Sequence, residues 1–158
     1  AMKKVAGTLR LDLAQYREKQ AFAQFGSDLD AETRKQLARG ERLIEILKQP
    51  QFQPMPTELQ VMSIFAANNG YLDSLAVGDV REFEGQLHQL LQATHGDILE
   101  EIRKTGAFSD ATAEKMKSIF KRFVDEFLAG KNAAKPAAAA PAKASGAAKP
   151  AAHSASHA

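Results

Sequence analysis

Catalysis and metal binding need particular side chains at particular separations, and this 158-residue chain offers few of them. It has no cysteine, which excludes a disulfide framework, a thiolate metal site and a thiol nucleophile. The four histidines fall into two pairs. His88 and His95 are seven positions apart, two helical turns or roughly 10 Å, too far to share a metal ion unaided. They read as surface or rim residues. His153 and His157 have the i, i+4 spacing of a helical metal pair, but they sit in an Ala/Pro/Lys-rich stretch where weak adventitious binding is the most the sequence supports. Gly130-Lys131 resembles the end of a phosphate-binding loop. Position 125 is Asp125 rather than glycine, however, and position 132 is Asn132 rather than a hydroxyl residue, so a helix end is the better reading. The acidic pairs Glu100-Glu101 and Asp125-Glu126 stand among lysines and arginines and read as solvated faces. No catalytic residue and no metal site is expected.

The elements that would position any such groups are helical. From Lys3 to Phe25, Val5, Leu9, Leu13 and Tyr16 recur at spacings of four and three, one face of a helix. Gly7 weakens that assignment, and the alternation of Leu9, Leu11 and Leu13 leaves a strand open locally. Gly26-Ser27 stops this element. A second helix is expected from about Asp30, where Asp28, Asp30 and Glu32 suit the amides and dipole of a helix N-terminus. Leu37, Ile44 and Leu47 would form its inner face. Three prolines, Pro50, Pro54 and Pro56, exclude helix from the segment that follows.

A third helix opens on a capping-box pattern, Thr57-x-x-Gln60, and its broad apolar surface around Val61, Ile64 and Phe65 predicts burial on most sides. Asn68-Asn69-Gly70 should stop it. A fourth starts at Asp79 and carries Phe83, Leu87, Leu90, Leu91, Ile98 and Ile102, with Gly96 as a kink or division. A fifth runs from about Ser109 to Gly130 and stacks Met116, Ile119, Phe120, Phe123 and Phe127. The expected fold is therefore all-α, a bundle of five or six helices over residues 1–130.

Residues 131–158 contain no aliphatic side chain larger than alanine. Such a segment cannot bury enough apolar surface to offset its ordering entropy, so a disordered low-complexity tail is expected. The formal charge of +2 belongs to this tail. Lys131, Lys135, Lys143 and Lys149 meet no acid there, leaving 17 basic against 19 acidic groups in residues 1–130. That balance gives no electrostatic footprint for nucleic acid. No apolar run approaches the ~20 residues of a membrane-spanning helix, and no signal-peptide pattern opens the chain.

Four blocks carry a family resemblance. The opening AMKKVAGTLRLDLAQYRE, Ala1 to Glu18, resembles the segment that joins the nucleotide-binding and helical domains in the alpha subunit of F-type ATP synthases. AFAQFGSDLD, Ala21 to Asp30, is similar to a hallmark loop of that subunit. Leu47-Lys48-Gln49-Pro50-Gln51-Phe52 with Pro54-Met55, and then Asn69-Gly70-Tyr71-Leu72-Asp73, match in the same order and spacing. The likeness is close over residues 1–73, looser over 74–130 and absent from the tail.

The resemblance implies a C-terminal helical domain in a ring of alternating alpha and beta subunits around a gamma shaft. Such a complex is peripheral at the cytoplasmic face of a bacterial inner membrane. Phe25, Gly26, Ser27, Asp28, Leu29 and Asp30 would face the shaft. Gln49, Pro50 and Gln51 would form one wall of a non-catalytic site holding ATP or ADP with magnesium in the intact subunit. A primary amide offers both a donor and an acceptor, which suits an adenine edge. The family's phosphate-binding loop and the arginine that completes the neighbouring catalytic site are not in this chain, so it is expected to be a fragment that is not catalytic alone. Lys19-Gln20 and Glu32 depart from the smaller or uncharged residues expected near the shaft loop. Two other readings remain at this stage: a stand-alone helical adaptor derived from the alpha subunit, and a helical nucleic-acid-binding module using the basic tail.

Overall fold

The computed structural model describes residues 1–24 and 29–134. Within them lie α1 (Met2–Ala6), α2 (Leu9–Ala23), α3 (Ala31–Leu47), α4 (Thr57–Asn68), a 3-10 turn (Val77–Asp79), α5 (Val80–Thr94), α6 (Gly96–Thr105) and α7 (Asp110–Ala134), with no strand. The all-α bundle is as expected, with six helices of ten residues or more and the single-turn α1. Gly7-Thr8 divides the first expected helix and His95 the fourth, where φ −134° interrupts the helical backbone.

Helix α4 is the centre. All of its residues from Glu58 to Ala67 except Gln60 are buried, as its broad apolar surface implied. Helix α1 packs on it from one side and α6 from another, while α3 and α5 close the layer. Helix α7 joins through an aromatic ladder. Phe120 meets Phe65 at 5.7 Å and Tyr71 at 5.5 Å between ring centres, and Phe83 lies 5.1 Å from Phe123 and 5.4 Å from Phe127. These tilted and edge-on pairs are the favoured aromatic geometries.

Local signals explain most boundaries. Asn68-Asn69-Gly70 ends α4 in a Schellman turn: the Tyr71 and Gly70 amides donate to the Ala66 and Ala67 carbonyls, and Gly70 takes φ +78°. Gly106, at φ +65°, ends α6. Ser109 caps α7, accepting from the Thr112 amide at 3.1 Å.

Three expectations need correction. The Thr57-x-x-Gln60 capping box does not form. Pro56 occupies the cap position, and Gln60 turns back to donate to the Met55 carbonyl. On α3 the buried face is Gly40, Leu43 and Ile46, while Leu37 and Ile44 are half-buried and Leu47 is exposed. The face is set by Gly40, over which the Tyr16 ring lies so closely that a Cβ would stand 2.1 Å from it. Helix α7 does not stop at Gly130 but continues to Ala134. Lys131 holds that last turn by bridging Asp79 (2.9 Å) and Glu82, with its ammonium 5.6 Å from the Phe127 ring centre.

Candidate functional site

Of the residues expected to meet partners, the described ones stand at the two ends of one helix. Asp30 caps the start of α3, where its carboxylate accepts from the Thr33 amide at 3.2 Å. That Thr33 interaction holds the Asp30 carboxyl below its ordinary range, so it is anionic at neutral pH. Leu29 is half-buried, and its carbonyl accepts from Arg34 Nε at 3.1 Å. Phe25, Gly26, Ser27 and Asp28 lie outside the described residues.

Gln49, Pro50 and Gln51 follow the other end of α3, and all three are exposed. The 17 residues of α3 span roughly 25 Å at 1.5 Å each, so the two groups are separate surfaces and not one site. The structure brings Gln49, Pro50 and Gln51 together in one loop. The Gln53 amide donates to the Pro50 carbonyl at 3.3 Å, and Gln49 Oε1 faces the Met55 amide at 3.4 Å. Gln51 is exposed beside it.

Phe52, the neighbour of this trio, was not among the expected site residues. Phe52 is 91% exposed and takes φ +60°. It is the one non-glycine residue among those described in the left-handed region, where a bulky side chain costs about 1–3 kcal/mol. The signal in the sequence was an aromatic residue inside a proline-rich turn, a place that packing does not require.

Among the described residues, no group of three His, Asp or Glu side chains could hold a metal ion. His88 is not a rim residue as expected. It is half-buried, with Nε2 2.8 Å from Ser63 Oγ. Ser63 Oγ also lies 2.8 Å from Glu84 Oε1. The hydroxyl is thus the middle member of the three, whereas a nucleophilic serine stands at the end of a chain with the histidine between. Glu100, Glu101, Asp125 and Glu126 are all exposed, as their surroundings suggested.

The described residues form a helical bundle with the Gln49–Gln51 loop exposed at the end of α3. The family model described as ATP synthase alpha/beta chain, C terminal domain, matches residues 1–123. The chain belongs to that family, and so to a subunit that assembles with others in an ATP synthase.

Proposed function

We propose that this chain is of the alpha type and serves as a structural and regulatory part of the catalytic head of a rotary proton-transporting ATP synthase. The domain packs in the alpha–beta ring around the gamma shaft, peripheral to the cytoplasmic face of a bacterial inner membrane. The alpha assignment rests on the four sequence blocks between Ala1 and Asp73. The observation that carries the reading is the loop Gln49–Phe52: three exposed residues with amide and ring chemistry beside a strained exposed aromatic.

In this reading, Gln49, Pro50 and Gln51 form one wall of the non-catalytic nucleotide site, reading the adenine edge through primary amides. The phosphates and magnesium of ATP or ADP are held by a nucleotide-binding domain. The segment Phe25–Asp30 is the shaft-contacting one in this reading, and its Asp30 carboxylate is fixed by its capping bond.

The test is assembly. The full-length subunit carrying this domain is mixed with beta and gamma subunits of the same enzyme, and the ring is isolated by size. Incorporation at one copy per beta subunit supports the alpha reading; failure to assemble, or replacement of beta in the ring, sinks it. Gln49→Ala with Gln51→Ala should leave assembly intact and lower the adenine nucleotide retained by the ring after desalting.

A further inference from the structure

The core between α4 and α5 is apolar except at one place. Val61, Met62, Ile64, Val80, Phe83, Leu87 and Leu91 are all buried, and among them sit Ser63 and Glu84, each buried, with half-buried His88 one turn beyond Glu84. Ser63 Oγ is 2.8 Å from both the Glu84 carboxyl and His88 Nε2. A hydroxyl has one hydrogen, so it can donate to only one of these two neighbours and must accept from the other.

Two arrangements satisfy all three groups. In the first, the Glu84 carboxylate accepts from Ser63, and Ser63 accepts from His88 carrying its proton on Nε2. In the second, protonated Glu84 donates to Ser63, and Ser63 donates to His88 carrying its proton on Nδ1. They differ by one proton. Added from solvent at His88 Nδ1, it is passed on by two hops: Nε2 gives its proton to Ser63 as Ser63 gives its own to Glu84. The imidazole ends neutral and the carboxyl ends neutral. A second proton would leave Ser63 between two donors, with no acceptor for its hydrogen. The cluster then breaks.

We propose that Glu84, Ser63 and His88 form a buried relay that takes up one proton and stores it on Glu84 while His88 changes tautomer. Burial acts in the sense this requires. It raises the proton affinity of the Glu84 carboxyl against the hydrogen bond from Ser63, and it lowers that of His88 against the hydrogen bond to the Leu59 carbonyl. Charged groups on the surrounding helices are engaged elsewhere. Arg81 favours the Glu84 anion but also lies 3.5 Å from Glu45 of α3. Glu58 of α4 is held by Arg103 of α6, and Lys131 of α7 by Asp79 and Glu82. The relay therefore lets the joint between α4 and α5 cross a pH range with both contacts of Ser63 kept.

The experiment is a pH titration of the isotopically labelled chain, following the His88 ring nitrogens and the Glu84 carboxyl carbon by NMR. The expected result is a change from the Nε2–H to the Nδ1–H tautomer as pH falls, with His88 uncharged and a single midpoint shared with Glu84. Formation of an imidazolium with its own midpoint would overturn the proposal, as would a tautomer that stays fixed while Glu84 titrates. Ser63→Ala should split the shared midpoint in two. A midpoint still shared in that variant would show that Ser63 is not the link and would overturn it equally. Glu84→Gln should leave His88 in one tautomer across the range.

Discussion

Helices α2 and α4 have similar lengths, fifteen and twelve residues, and almost opposite relations to the rest of the domain. Helix α4 buries nine of its residues; α2 buries Leu9 and Tyr16 alone and leaves Leu11 and Phe22 more than half exposed. Helix α4 touches α1, α3 and α6, whereas α2 leans chiefly on α3. Packing of apolar faces supplies most helix stability in a protein. The core layer, α3 included, is therefore stable for many small reasons, and α2 is held to it chiefly by the seat of the Tyr16 ring on Gly40. Helix α2 is thus the less tied to the bundle of the two.

Breaking the core layer should have the largest effect. Phe83 is fully buried between Phe123 and Phe127, so Phe83→Ala should lower stability by about 3–5 kcal/mol. Urea unfolding should show the loss in every helix at once. Gly40→Ala should act differently. The added Cβ meets the Tyr16 ring at 2.1 Å, and the strain of such overpacking is about 1–3 kcal/mol. Hydrogen exchange should speed up in α2 while α4 to α7 keep their protection. Adding Tyr16→Ala should give less than the sum of the two single losses, because both act on one contact. Uniform loss of protection after Gly40→Ala would dissolve the distinction between the two regions.

Arg103→Ala sharpens the comparison inside the core. Glu58 is buried, and burial alone would raise its pKa; the hydrogen bonds and charge of Arg103, together with the bond from its own backbone amide, outweigh that and hold it below the ordinary 4.5. A carboxyl with a lowered folded pKa contributes stability above its unfolded value and loses it as pH falls through the folded one. Arg103 is itself largely exposed, and solvent screens the pair, so a cost of about 1–2 kcal/mol at neutral pH is expected. The difference from the unaltered protein should shrink as the pH is taken below about 4.5, when Glu58 protonates. Lys131→Ala should be the mildest. It should free the last turns of α7 to exchange faster without moving the urea midpoint measurably.

The core layer was also the legible part. The stripes Phe83-Leu87-Leu90-Leu91 and Met116-Ile119-Phe120-Phe123-Phe127 are periodic, and the structure buries all of these residues but Leu90, which is half-buried. The seat of α2 on α3 was harder to read because its decisive residue is a glycine, which carries no apolar side chain for a periodicity to register. Leu37, Ile44 and Leu47 then suggested a face rotated away from the true one. The Thr57–Gln60 pattern failed because Pro56 supplies the extended backbone of a cap without a side-chain acceptor. Glu84 and His88 have visible helical spacing, but Ser63 lies on another helix, and nothing local links it to them. Gln49, Pro50 and Gln51 had meaning only through their likeness to a family; Phe52 beside them carried no periodic signal.

Phe52 also separates two demands that a protein segment usually meets together. Replacing it by glycine would relax the positive φ at the cost of backbone entropy, and the isolated domain should become more stable by up to about 1 kcal/mol, measurable by thermal unfolding. The same change would remove the most exposed large side chain of the loop. At this position the chain is shaped against its own comfort. A sequence optimised for the domain in isolation would discard the feature that most clearly marks the domain as a component.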